Sequence, residues 1–206
     1  MWYRSLAFIA LNVTANTWVK RAVGFLATRF MSFQTGDAMS LTNNVTRFLD
    51  SRKVKYTVFE LPAEKLGALE TARRLNVPPE QVFKTIVARR EKPGKPVLAV
   101  IPGTCELNLK ALAAVLGEKK MHVPTQREAE QLTGLQAGGI SPLALINKGF
   151  QVVIDQSAQN FTEIHVSGGQ RGLNLRLPVQ DLATLVKARF AEIGTVTEHQ
   201  QDDQEI

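Results

Sequence analysis

Lys84 lies inside Val82-Phe83-Lys84-Thr85-Ile86-Val87, a run of branched and aromatic residues that reads as a well-buried strand. A cation is costly there unless something uses it, either an anionic ligand that needs a point charge or a buried acid. Strand side chains alternate, so Val82, Lys84, Ile86 and Ala88 share one face while Phe83, Thr85 and Val87 share the other. Neither face is patterned for open water. Taken alone, the lysine is equally a functional cation and a structural one that snorkels past the strand edge or joins an ion pair.

Two glycine-bearing segments could approach a ligand closely. Gly138-Gly139-Ile140-Ser141-Pro142 offers backbone free of side chains, stiffened by Pro142, and Ser141 is read as acting through its backbone. Ser167-Gly168-Gly169-Gln170-Arg171-Gly172 does the same beside a basic side chain. Neither matches a phosphate loop or a dinucleotide fingerprint, and either one alone reads as a tight turn. Cys105 is the single cysteine, which excludes an intrachain disulfide; placed in a loop after Pro102-Gly103 with no neighbouring base, it reads as incidental. His122, His165 and His199 have no ligand spacing, so neither a metal nor any other cofactor is expected. His165 would share a strand face with Glu163 and Ser167, where it either lines a pocket or is an ordinary half-exposed histidine.

The elements that must position these residues alternate irregularly. Residues 42–53 read as a helix with Val45, Phe48 and Leu49 on one face, residues 55–61 as a strand, and residues 66–75 as a helix stopping before Pro78-Pro79. The Lys84 strand turns through Pro93-Gly94 into a second strand over 97–101. Asn108 caps a helix closed by Gly117, and Thr125 with Glu128 forms a capping box for a helix ending at Gly134. Strands follow over 152–155, 163–167 and 173–177, then a last helix over 178–190. The order predicts an α+β fold with a mixed, partly barrel-like sheet and surrounding helices, without the steady strand–helix repeat of a doubly wound sheet.

Composition marks the ends. The chain has 206 residues, 44% hydrophobic and 21% charged, with no apolar run of about eighteen residues that would span a membrane. Residues 1–38 carry both tryptophans and one acid, Asp37, and read as an extension outside the fold, either a targeting segment or sequence upstream of a start at Met39. Residues 191–206 are acidic, without Lys or Arg, and are expected to be a disordered tail. The body between, residues 39–190, holds 21 Lys and Arg against 13 Asp and Glu, a balance of +8 that favours an anionic partner such as nucleic acid.

In combination these motifs are more specific than any of them alone. Val82-Phe83-Lys84-Thr85, then Gly138-Gly139-Ile140-Ser141-Pro142, then Val166-Ser167-Gly168-Gly169 with Arg171-Gly172-Leu173, closely resembles the YbaK/EbsC family. Leu107-Asn108-Leu109-Lys110 and Leu116-Gly117-Glu118-Lys119-Lys120 extend the likeness, which runs from about Thr42 to Phe190. Members are freestanding aminoacyl-tRNA deacylases related to the editing domain inserted in bacterial prolyl-tRNA synthetases. The resemblance implies a cytoplasmic enzyme that hydrolyses the ester of a mischarged tRNA, typically Cys-tRNA(Pro), with alanine or other small residues handled by relatives. Its expected partners are aminoacyl-tRNA and a prolyl-tRNA synthetase. It assigns Lys84 as the essential lysine, Gly139 to the substrate-carbonyl loop with Gly138, Ile140 and Ser141 beside it, and Ser167 with Gly168 to the pocket. Two positions depart from the cysteine-specific members: Phe59 stands where they carry a tyrosine, and Asn174 where they carry an aspartate.

Ester hydrolysis needs a nucleophile and stabilisation of the developing oxyanion, for which backbone donors near Gly139 are suited. No Ser-His-acid triad is legible. In the cysteine-editing branch the resemblance implies that the substrate's own thiol attacks, whereas a substrate without a thiol needs a positioned water. Two other classes fit the same residues: a basic module that binds charged tRNA or a synthetase without turnover, and, if residues 1–15 are a signal, a secreted small-molecule binder.

Overall fold

Asn43 opens the first helix, α1 (Asn44–Ser51): its side chain accepts from the N–H groups of Val45 and Thr46, and the Thr46 hydroxyl accepts from the Asn43 N–H. The structure, a computed structural model, describes residues 42–196. The expected extension over 1–38 and the final acidic residues 197–206 lie outside the described residues.

Strand β1 (Thr57–Glu60) and helix α2 (Ala68–Leu75) follow, α2 ending at Asn76 in the left-handed conformation. A 3-10 turn, Pro79–Gln81, leads into the Lys84 strand, β2 (Phe83–Arg90), which forms an antiparallel hairpin with β3 (Val97–Pro102). Next come β4 (Cys105–Leu107), α3 (Leu109–Leu116), β5 (Met121–His122) and α4 (Gln126–Thr133). Both expected caps form as read: Asn108 accepts from the Ala111 N–H, and Thr125 exchanges bonds with Glu128. After the 3-10 segment Leu143–Lys148 come β6 (Gln151–Asp155), β7 (Glu163–Ser167), β8 (Leu173–Pro178) and α5 (Val179–Val186), then β9 (Arg189–Ala191) and β10 (Gly194–Val196).

The class is the α+β one expected. A five-stranded mixed sheet runs β5-β2-β3-β6-β9, with β3–β6 and β6–β9 parallel, beside a three-stranded antiparallel sheet β1-β8-β7 and the pair β10-β4. Among the described residues these sheets do not close into a barrel. A single parallel bridge between Val82 and His165 seams the two larger sheets. Strand β3 is buried along its whole length because both faces are covered. Leu98 and Val100 pack with Leu49, Ile154 and Leu182, while Ala99 and Ile101 pack with Leu112, Val153 and Ile193. Fully burying one such aliphatic chain contributes roughly 1.5–3 kcal/mol, so β3 is the spine from which β2 and its lysine are hung.

The carboxyl-terminal elements depart from expectation. The helix foreseen over 178–190 ends at Val186, where Lys187 adopts a left-handed cap (φ 50°) and donates to Ala183 and Thr184. The chain then re-enters the sheet, with Val153, Ile154 and Asp155 facing Arg189, Phe190 and Ala191. Past residue 190, Ile193 is fully buried and β10 pairs with β4. Asp155 makes the junction: its carboxylate accepts from the N–H groups of Ile193 and Gly194 at 2.9 and 2.7 Å. Cys105, expected in a loop, starts β4 and is buried opposite Val196. Among the described residues no helix is long and apolar enough to cross a membrane.

Candidate active site

The seam between the sheets generates the site. At the Val82–His165 bridge the strands β2 and β7 touch, and Lys84 and Ser167 each stand two residues further along, on the same face as the bridging pair. No further bridge joins β2 to β7, so the space beyond Val82 is open. Ser167 pairs with Asn174 on β8, and Asn174 pairs with Phe59 on β1. Lys84, the gap, Ser167, Asn174 and Phe59 therefore form one lateral row across the sheets.

The gap is a cleft of about 270 Å³. Lys84, Thr85, Ser167 and Asn174 line its strand side, Gly138 and Ile140 one end, and Lys65 with Thr71 the side toward α2. Lys84 is half-buried, and its Nζ meets protein only at the Gly103 carbonyl, 3.4 Å away, among the described residues. The Thr85 hydroxyl is buried without a partner. The Lys84 ammonium, so little engaged, is available to an oxygen-rich ligand, whereas the Thr85 hydroxyl is sealed from the cleft.

The glycine loops meet at the cleft's end. A Cβ on Gly139 would lie 2.9 Å from Gln170 Cα, Gln170 C and Arg171 N, so only glycine permits the loops to touch. Arg171 Nε donates to the Ala137 carbonyl at 2.7 Å, and the Asn43 Nδ2 donates to the Gly168 carbonyl at 2.8 Å, tying both loops to the body. Gly139 is buried and its own N–H donates to the Gln136 carbonyl at 2.9 Å. The N–H groups of Gly138 and Ile140 have no such partner among the described residues, and both residues line the cleft.

Of the nine residues singled out from sequence, the structure brings Lys84, Gly138, Ile140, Ser167 and Asn174 to the cleft wall. Phe59, Gly139, Ser141 and Gly168 stand behind it. Phe59 is half-buried with its ring 5.2 Å from that of His165, and the Arg176 guanidinium lies over the Phe59 ring, 5.7 Å from its centroid. Ser141 is fully buried with an unpartnered hydroxyl. Gly168 is packed on Leu173, whose side chain would lie 2.6 Å from an added Cβ.

His165 is neither a pocket wall nor half-exposed. It is fully buried, with Nδ1 2.9 Å from the Asn174 Oδ1 and Nε2 unpartnered. Burial pushes its imidazole below the ordinary pKa, against the opposing effect of the Asn174 bond. Sequence reasoning missed Thr85, Asn43 and the clamp role of Arg171. Thr85 was legible only as the inward-facing neighbour of Lys84, and the other two depend on contacts across more than thirty residues.

This combination of seam, lysine and glycine loops defines a hydrolytic or binding cleft of the tRNA-editing kind, and the comparisons agree. Residues 63–185 match the family described as the aminoacyl-tRNA editing domain. The chain belongs to that family. It is 36% identical, over 74% of its own length and 93% of the relative's, to an Enterococcus faecalis protein, EbsC, described as a candidate Cys-tRNA(Pro)/Cys-tRNA(Cys) deacylase. It is also 27% identical to a proline–tRNA ligase of Streptococcus thermophilus over 63% of this chain, a stretch that makes up 20% of the ligase. Among solved structures, a candidate trans-editing enzyme for prolyl-tRNA synthetase superposes with a TM-score of 0.64 at 26% identity, covering 76% of this chain and 99% of that one.

Proposed function

We propose that the protein is a trans-editing aminoacyl-tRNA deacylase, acting in the cytoplasm on the ester of mischarged tRNA, with Cys-tRNA(Pro) as its leading substrate. The observation that carries the reading is the cleft itself. A weakly engaged lysine and two residues with unengaged backbone N–H groups, Gly138 and Ile140, line a space of about 270 Å³ that suits a small aminoacyl group on a ribose. Family membership and the likeness to EbsC support the chemistry.

In this reading Lys84 holds the terminal nucleotide through its phosphate or ribose oxygens, as a positioning charge. The N–H groups of Gly138 and Ile140 stabilise the oxyanion, and Gly139 acts by letting the loop pack where those donors face the carbonyl. Ser167 and Asn174 contact the acyl group, with Phe59, Ser141 and Gly168 supporting them from behind. For a cysteinyl ester the substrate sulfur attacks the carbonyl carbon and the carbonyl electrons move to oxygen. They return as the C–O bond to the ribose breaks, and the ribose oxygen takes the proton that the thiol released. An ester without a thiol is attacked by water in the same frame. The editing body spans residues 39–190 together with the strands that follow it, and a prolyl-tRNA synthetase is the partner that would present the substrate.

The test is deacylation of Cys-, Ala- and Ser-charged tRNA(Pro) by wild type and Lys84→Ala. Turnover by wild type that is lost in the variant supports the reading. Tight binding of charged tRNA with no turnover on any of the three would reduce the protein to a binding module.

A further inference from the structure

Asn174 is 6% exposed, yet it lines the cleft. Its two polar atoms have different surroundings. Oδ1 faces His165 Nδ1 at 2.9 Å, while Nδ2 has no partner among the described residues and is not among the sealed, orphaned atoms of the interior. The amide N–H₂ is thus the part of the side chain that reaches the cleft.

His165 enforces that orientation. Its ring, carried on β7, is fully buried and tilted 49° against Phe59, and its Nε2 is sealed without a partner. With the proton on Nδ1, the histidine donates to Asn174 Oδ1 and leaves a bare lone pair at Nε2. Turning the amide over would require the proton on Nε2, burying an N–H donor with nothing to accept it, which is the costlier defect. Phe59 offers no hydroxyl or carbonyl from its side chain to relieve either case. Burial disfavours the doubly protonated ring, which would satisfy neither arrangement better.

Resting on the deacylase reading, we propose that His165 is a positioning residue that sets the hydrogen-bond polarity of the cleft: it turns the Asn174 N–H toward the acyl group and so favours side chains ending in an acceptor, a hydroxyl or a thiol sulfur, over a bare methyl. An aspartate at position 174 would present the opposite polarity, since a carboxylate accepts and does not donate. The substrate class is therefore small polar aminoacyl esters, with serine and cysteine preferred to alanine at this wall.

The test separates recognition from turnover by using non-hydrolysable analogues, 3′-(O-methylseryl)amido- and 3′-norvalyl-amido-adenosine, the first with an ether oxygen that only accepts and the second its hydrocarbon isostere, titrated calorimetrically. One neutral hydrogen bond predicts that wild type binds the O-methylseryl analogue about 3- to 10-fold more tightly. His165→Leu, which fills the space but cannot hold the amide, is expected to bring the ratio to about one. His165→Asn, whose own amide can donate from near the Nδ1 position, is expected to restore it. Asn174→Asp, which keeps the contact with His165 but offers no donor, is expected to lose the preference too, and it serves if His165→Leu fails to fold. A ratio unchanged in Asn174→Asp or in folded His165→Leu overturns the proposal, as does equal binding of the two analogues by wild type. An intact ratio in a protein that deacylates no charged tRNA upholds this inference and overturns only the enzymatic reading.

Discussion

Arg171 Nε donates to the Ala137 carbonyl at 2.7 Å, so two loops more than thirty residues apart in the chain form one wall of the cleft. The bond fixes Gly138 and Ile140 through Ala137, their neighbour. Arg171→Ala is expected to lower kcat for deacylation by about 10-fold through misplacement of the donors, with a modest change in KM. Steady-state kinetics on charged tRNA(Pro) checks the split; a pure KM effect would assign Arg171 to tRNA binding instead.

Gly139→Ala probes the same wall from inside. The new methyl meets backbone atoms of Gln170 and Arg171 at 2.9 Å, and backbone cannot swing aside as a flexible side chain would. Overpacking of this kind destabilises by about 1–3 kcal/mol, which urea unfolding will resolve. Activity should fall further than stability, because the displaced loop carries the unengaged N–H groups.

Lys84→Met retains the aliphatic stem and removes the charge. Since Nζ makes only the 3.4 Å contact with Gly103, stability is expected to change by less than about 1 kcal/mol. Deacylation is expected to fall about 100-fold or more, as for loss of a group that positions charge in the transition state. Unfolding of the variant at the assay temperature would show instead that the lysine is structural.

Asp155 holds the carboxyl-terminal strands. Burial alone would raise its pKa, but donation from Ser157, Ile193 and Gly194 outweighs burial and holds the carboxyl below its ordinary value. A depressed carboxyl stabilises the fold above its unfolded pKa of about 3.9 and loses that contribution as pH falls through the folded value. Asp155→Asn should abolish this acid dependence and destabilise by about 2–4 kcal/mol, because one oxygen that accepted two bonds is replaced by a donor facing donors. Unfolding monitored between about pH 3 and pH 7 will show it.

His165 gives a second pH dependence, at higher pH. Its folded pKa is depressed below 6.5, chiefly by burial, with Arg176 adding to the effect and Asn174 and Glu163 opposing it. The neutral ring's contribution is complete above the unfolded pKa and is lost as pH falls from there toward the folded value, because the unfolded chain takes up the proton first. Relative to His165→Asn, wild type should lose up to about 1.4 kcal/mol for each pH unit within that window. Equal pH profiles for the two proteins would mean that the ring is protonated in place.

Much of the fold was readable locally. Asn108 with Gly117, and Thr125 with Glu128, mark their helices because a cap is a contact within four residues and its chemistry is written in adjacent letters. The hairpin of β2 and β3 was readable for the same reason, through Pro93-Gly94. The strands β4, β9 and β10 were not, because three-residue strands have too little periodicity and depend on partners distant in the chain, such as Val196 for Cys105. The helix expected to reach 190 stops at Val186 because pairing of 189–191 with β6 satisfies the backbone there.

The site divides along the same line. The sequence by itself determined which residue types are present for chemistry: a lysine in a buried strand, two loops that only glycine can build, and an asparagine and a phenylalanine at two telling positions. It also determined the family, since those motifs occur in order. Only the tertiary structure decided which of them reach the ligand. Lys84 and Ser167 share a cleft because a single bridge at Val82 and His165 holds β2 and β7 together and then lets them part. Gly139 recedes behind Gly138 and Ile140 because its N–H is taken by Gln136. His165, an unremarkable letter on a strand, controls the face that Asn174 presents, because burial leaves its ring one affordable place for a proton. Such outcomes rest on hydrogen bonds between distant segments and on exclusion of water, neither of which has a local signature in the chain.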